Sequence, residues 1–304
     1  MSKPILRQTA YVVCVSIALL ASSGCARHES ALRDYEAGNF LAAQKVWRLM
    51  AEHGDAEAQN YLGVMLDRGQ GVPEDDPGAV MWFRRAALQG HAVSQNNLGI
   101  MLRNGSGVPQ DNAAAVYWFK AAAEQGHLDA LNNLGVMFDQ GLGVVEDDVE
   151  AVRLFRLAAE KDHPRAMNNL GRMLQKGEGV PQDFRAAAEW FEKASMLGDL
   201  EARNNYAVML DNGLGMPADT AKAMRLFAEA ARAGDTRARV NFGKKLLADN
   251  TRPESMLEAY AWFNVASSSG DAEARALKEQ AAERLSAEQL QEAQRLSRSI
   301  AEPI

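Results

Sequence analysis

The sequence predicts an all-α solenoid, in which helix-turn-helix units repeat along the chain and stack on their neighbours. Three observations carry this reading. Glycine, leucine and aromatic positions recur every 36 residues over most of the 304-residue chain. Ala, Leu, Glu, Gln and Arg, all strong helix formers, are abundant. Val, Ile and Thr are too sparse for a sheet protein. A fixed period outranks length as a guide to domain count, because each repeat is one supersecondary unit that buries its apolar face only against a neighbour.

The registers hold without a slip. Gly69, Gly105, Gly141, Gly177 and Gly213 fall in one register, and Gly71, Gly107, Gly143, Gly179 and Gly215 in another two places on. Val72, Val108, Val144, Val180 and Met216 follow. Leu62-Gly63 recurs as Leu98-Gly99, Leu134-Gly135, Leu170-Gly171, Tyr206-Ala207 and Phe242-Gly243. Trp82-Phe83 recurs as Trp118-Phe119, Leu154-Phe155, Trp190-Phe191, Leu226-Phe227 and Trp262-Phe263.

One unit reads as a helical hairpin. Helix A spans about 56–68, with Ala58, Leu62, Met65 and Leu66 at helical spacing on one apolar face. Gly69 suits a left-handed C-cap. The loop leads to Asp75-Asp76-Pro77, an N-cap acid followed by proline at the helix start. Helix B runs to about Gln89, with Val80, Phe83, Ala86 and Ala87 inward, and Gly90 closes it. A mid-helix glycine costs about 1 kcal/mol against alanine, so the glycine of the Leu-Gly pair implies close approach of a neighbouring helix. Ala207 fits the same need.

The Leu-Gly pair, the Gly-x-Gly-Val loop, the downstream Asp, the Trp-Phe pair and the Ala doublet resemble the Sel-one-like repeat family, a relative of tetratricopeptide repeats. The resemblance implies a right-handed α-solenoid with six such repeats over 55–270. Residues 31–54 resemble a leading tetratricopeptide-like hairpin, through Ala37-Gly38-Asn39-Phe40, Ala42, Val46 and Trp47. The sixth repeat departs from the pattern, since Asp249, Asn250, Thr251 and Arg252 replace its glycine loop. Over 271–304 the sequence predicts two capping helices. The first runs to about Leu285, and the second is announced by the capping-box pair Ser286 and Gln289.

Lys3 and Arg7 precede the apolar run 10–20, which is shorter than the roughly 20 residues needed to span a bilayer. Ala21, Ser22, Ser23 and Gly24 follow, then Cys25. This resembles a bacterial lipoprotein signal peptide, although Ser22 stands where that family usually has Leu. The resemblance implies cleavage between Gly24 and Cys25, a lipid on Cys25, and a short tether over 25–30. Cys14 lies in the removed segment, so a mature chain could form no internal disulfide. By resemblance, Ala26 after the cysteine implies sorting to a Gram-negative outer membrane. Simple cleavage nearby, leaving a free Cys25 thiol, is the alternative.

The net charge of −7 and the lack of a basic stripe argue against nucleic-acid partners. His91, His127 and His163 share a register with Asp55, Asp199, Asp235 and Asp271, which points to helix capping. Successive repeats hold these positions at least a helix layer apart, about 8–10 Å, so no metal site is expected. Met65, Met101, Met137, Met173 and Met209 read as core filling. The glycine loops follow helices and lack a Gly-Lys-Ser/Thr ending, so they are not phosphate loops. Asp75, Asp111, Asp147, Asp183 and Asp219 lack calcium-loop spacing and read as caps. No cofactor is expected.

The resemblance implies a non-catalytic scaffold that binds a protein or peptide of the cell envelope on its concave face. The other function class is an enzyme acting on cell-wall or β-lactam-like substrates. This chain lacks the disulfide cysteines of the family members linked to β-lactams, and no nucleophile–base motif is visible. For partner binding the sequence offers Asn60, Asn96, Asn132, Asn168 and Asn204. Each lies two places before the Leu of the Leu-Gly pair or its counterpart, about 200° around the helix, which predicts a side chain turned away from the core. Val64, Ile100, Val136, Val208 and Arg172 would flank them. In the competing reading these asparagines tie adjacent helices together, as Asn97, Asn133, Asn169, Asn205 and Asn241 do.

Overall fold

A computed structural model of the chain describes residues 26–249, 252 and 254–301. Gly24 and Cys25 therefore lie outside the described residues. Among the latter there are sixteen helices and no strand. The chain divides into two compact units, one through Glu146 and one from Asp147.

The first unit contains α1 (26–36), α2 (Phe40–Glu52), α3 (Ala56–Asp67), α4 (Asp76–Leu88), α5 (Ala92–Asn104), α6 (Asn112–Glu124) and α7 (Leu128–Asp139). From α2 onward, each helix packs on the next in chain order. The expected tether is corrected here, since residues 26–30 are the start of α1. The physical reason lies at His28. Its Nδ1 accepts from Trp47 Nε1 at 3.2 Å, and its Nε2 pairs with Asp55 Oδ1 at 3.0 Å. Trp47 is fully buried and stacks on Tyr61 with ring centroids 4.2 Å apart, so α1 is held to the hairpin that follows.

The second unit contains α8 (Asp148–Ala159), α9 (Pro164–Lys176), α10 (Phe184–Met196), α11 (Leu200–Asn212), α12 (Thr220–Arg232), α13 (Thr236–Ala248), α14 (Ser255–Ser268), α15 (Ala272–Ala282) and α16 (Ala287–Ala301). Neighbours pack in chain order through α15, and α16 folds back on α14. Part of the atypical sixth loop lies outside the described residues. Its helix α14 starts without a side-chain cap, whereas Asp219 caps α12 one repeat earlier. The Ser286–Gln289 capping box forms reciprocally, with bonds of 3.0 and 3.2 Å.

Helix starts follow one rule. Asp55, His91, His127, His163, Asp199, Asp235 and Asp271 each accept the backbone N–H three residues on, at the start of the A helices and of α15. Asp75, Asp111, Asp147, Asp183 and Asp219 do the same for the B helices α4 to α12. Asp75 is the cap of α4, so Pro77 is the second helical residue, one place later than expected. The buried side chains include Phe83 and Phe119 with Met65, Met101 and Met137 in the first unit, and Phe155, Phe191, Phe227 and Phe263 with Met173 and Met209 in the second.

The two glycines of each loop do different work. Gly105 and Gly177 are left-handed C-caps, with φ of 75° and 79°. Gly107 also has positive φ, but a Cβ there would strike the Asp76–Pro77 backbone at the start of the preceding repeat's B helix. Gly143 lies likewise on Asn112-Ala113, Gly179 on Asp148 and Gly215 on Phe184-Arg185. The loop of one repeat is thus seated directly on the helix start of the one before.

A histidine cap works only when Nδ1 is unprotonated. Burial lowers the His91 pKa, opposed in part by the negative charges of Glu57 and Asp55. The unfolded chain therefore takes up this proton first as pH falls. The stability from this cap is complete above the unfolded value of about 6.5 and is lost as pH drops through the folded-state value. His91→Asp supplies the acid found at Asp55 and Asp199, so it should reduce the fall in the urea midpoint between about pH 7 and 5. A pH profile unchanged by the substitution would contradict this.

Candidate functional site

The candidate site is the half-buried face of the A helices. Asn60, Asn96, Asn132, Asn168 and Asn204 are not part of its exposed surface, which corrects the sequence reading. They are only 7, 5, 7, 3 and 3% exposed. For Asn60, Asn96, Asn168 and Asn204 the reason is the next repeat of the same unit, whose A helix reaches them. Asn97 Nδ2 donates to Asn60 Oδ1 at 3.2 Å, and Asn133 Nδ2 to Asn96 Oδ1 at 2.9 Å. In the second unit Asn205 donates to Asn168 at 2.9 Å and Asn241 to Asn204 at 2.8 Å. Within each unit, the first asparagine of a repeat is thus an acceptor for the second asparagine of the following one. Ser94 Oγ adds a further bond to Asn60 Oδ1 at 2.9 Å.

The donors are half-exposed. Asn97, Asn133, Asn205 and Asn241 each spend one N–H on the ladder, and their Oδ1 atoms have no partner among the described residues. One helical turn on, and equally half-buried, stand Ile100, Val136, Val208 and Lys244. In the first unit Val64 continues this stripe, which is apolar there. In the second unit the stripe is mixed. Arg172 is half-buried and donates to Asn169 Oδ1 at 3.3 Å, and Lys244 pairs with Glu273 at 2.6 Å. The face thus alternates apolar contact with unused amide donors and acceptors, the combination that holds an extended peptide.

A second ladder escaped sequence reasoning. Gln59 Nε2 donates to Ala51 O at 3.0 Å, capping the end of α2, while Gln89 Nε2 donates to Gln59 Oε1 at 2.8 Å. One repeat on, Gln95 Nε2 donates to Ala87 O at 3.2 Å and Gln125 Nε2 to Gln95 Oε1 at 2.8 Å. In the second unit Arg203 and Arg239 take that register and reach Ser195 O and Ala231 O. The 30-residue Gln–Gln spacing was the available signal.

The most concentrated polar cluster is Glu192, Tyr206 and Lys222. Tyr206 Oη donates to Glu192 Oε1 at 2.6 Å, and Lys222 Nζ reaches both, at 3.2 and 3.0 Å. The Tyr206 bond, with Lys222 beyond it, holds the Glu192 carboxyl below its usual range. Burial pushes the Tyr206 phenol up, and its bond pushes Lys222 up as well. Tyr and Lys are therefore both held protonated, and the cluster clips α10, α11 and α12 together instead of activating a base. Among the described residues no group of three or more His, Cys, Asp or Glu could hold a metal ion, and no helix is long and apolar enough to cross a membrane.

The ladder makes a test available. Asn133→Ala leaves the buried Asn96 Oδ1 without its donor and should cost about 1–3 kcal/mol, although Asn133 is itself half-exposed. Asn97→Ala should cost less, because Ser94 Oγ still serves Asn60 Oδ1. Equal urea midpoints for the two variants would contradict the ladder.

The Sel1 repeat family matches residues 56–91, 92–127, 128–163, 164–199 and 200–235. The pair α13–α14 falls outside the match. A Sel1 repeat protein from Oxalobacter formigenes is 28% identical, with a TM-score of 0.72, over 79% of this chain and 96% of that one. The protein c5321, a protective antigen of uropathogenic Escherichia coli displaying an SLR fold, is 30% identical, with a TM-score of 0.68, over 94% of this chain and 71% of that one. No curated protein matches. With five consecutive matched repeats and the helical hairpins they require, the chain belongs to the Sel1 repeat family, an all-α solenoid family of protein-interaction scaffolds.

Proposed function

We propose that this protein is a non-catalytic scaffold of a bacterial cell envelope, tethered by a lipid on Cys25, that holds an extended segment of a partner protein along its A-helix face. The observation that carries the reading is the pair Asn97 and Asn133 in the first unit and the pair Asn205 and Asn241 in the second, whose amides are tied on one side and unused on the other. A backbone N–H or C=O of an extended chain fits such amides without regard to sequence. Val64, Ile100 and Val136 then select apolar side chains. The basic first residues, the short apolar run and the single remaining cysteine support the envelope setting.

A photo-crosslinking residue at Ile100 or Val136 should capture a defined envelope protein, whereas one at Tyr117, exposed on helix α6, should not. Ile100→Lys with Val136→Lys should abolish capture while the chain stays folded, at a cost of about 0.5–3 kcal/mol per half-buried site. Capture from Tyr117 alone, or capture undiminished in the double variant, would refute the assignment. Intact mass should show loss of residues 1–24 and a diacylglyceryl group on Cys25, and unmodified Cys25 in membrane-extracted protein would refute the tether.

A further inference from the structure

The C-terminal cap holds an open pocket of about 490 Å³ formed by the end of α14 with α15 and α16. Arg275 and Lys278 on α15 and Arg298 on α16 line it, and among the described residues no carboxylate does. The chain carries a net charge of −7, and elsewhere in the second unit Lys244 and Arg252 are paired with Glu273 and Glu258. Arg275, Lys278 and Arg298 have no ion-pair partner among the described residues. An open pocket of similar kind in the first unit includes Asp55 with Arg27 and His53, so its charge is mixed.

Helix ends supply the obvious structural role for such cations. The C-terminal ends of α14 and α16 both lie at the pocket, through Ser267, Ser268 and Ala301. Each helix end contributes about half an elementary negative charge. Against three cations this leaves an excess of roughly two positive charges, more than dipole compensation requires.

We propose that this pocket binds a phosphate monoester. Near neutral pH such a group carries about −1.5 to −2 charges, which matches the excess, whereas a carboxylate neutralises only half of it. Two guanidinium forks suit paired phosphate oxygens, and Lys278 adds a point charge. Ser267 and Ser268 now donate to Asn264 O and Val265 O, at 2.9 and 2.7 Å. Both hydroxyls can rotate to donate to a bound oxygen instead. The group can come from a soluble phosphate ester or from the headgroup of a phosphatidic-acid-like lipid.

Calorimetric titration of the full chain with inorganic phosphate tests the site. We expect one saturable site, weakened about tenfold or more by Arg275→Gln with Arg298→Gln, with thermal unfolding unchanged. Acetate should bind at least about tenfold more weakly than phosphate. Vesicles of phosphatidylcholine with and without phosphatidic acid, mixed with the full chain carrying Cys25→Ser, distinguish the sources. Binding only to phosphatidic-acid vesicles, lost in the double variant, assigns a lipid headgroup, and phosphate binding without vesicle binding assigns a soluble ester. No saturable phosphate binding, equal binding by the double variant, or acetate as strong as phosphate would each overturn the proposal.

Discussion

The structure depends on a single close approach, the ring of the second residue of each Trp-Phe pair against the glycine of the Leu-Gly pair. A Cβ at Gly63 would lie 2.5 Å from the Phe83 ring edge, at Gly99 2.6 Å from Phe119, at Gly171 2.7 Å from Phe191 and at Gly243 2.5 Å from Phe263. No ordinary contact is that short, so at these four positions a Cβ would force the ring or its helix to shift, whereas in the fifth repeat Ala207 takes this register and Phe227 is still only 2% exposed. The phenylalanines are buried to 2% exposure or less as a result. Large apolar burial is then obtained from a ring on one helix and bare backbone on the other, at a cost in helix propensity of about 1 kcal/mol per glycine.

With the hairpin closed in this way, links between repeats follow at fixed places. The second loop glycine seats each loop on the helix start before it, as Gly107 does on Asp76 and Pro77. The Asn ladder joins successive A helices, and Gln59 and Gln95 close the carbonyl ends of the preceding helices. Every one of these links runs to an adjacent hairpin, which is the energetic pattern of a one-dimensional array. It also determines which side chains remain for a partner. The ladder uses one face of Asn97 and Asn133 and leaves the other, so the structural contact orients the binding groups.

Much of this was legible in the sequence because it is local or strictly periodic. The caps at Asp55, His91 and Asp111 follow from residue type and register, and burial of Met65, Met137 and Phe119 follows from helical spacing. The direction of Asn60 was not legible. Helical geometry places it some 200° from Leu62, but only the position of the next A helix shows that this side is covered. The start of α1 within 26–30 was missed for a related reason, since its anchor pairs His28 with Trp47 and Asp55 across separate helices. The apolar half of the candidate face could be read from Ile100 and Val136, whereas its polar half had to be moved from Asn96 to Asn97.

The most direct measurement of the central contact is the stability of Gly99→Ala by urea unfolding. Helix propensity alone predicts a gain of about 1 kcal/mol, since alanine is the better helix former. The close approach of Phe119 predicts the opposite sign. Overpacking at such a site costs about 1–3 kcal/mol, so the variant should be no more stable than the parent and up to about 2 kcal/mol less. Replacing Phe119 by Leu in the same chain should relieve part of that loss. A Gly99→Ala variant stabilised by about 1 kcal/mol would contradict the account.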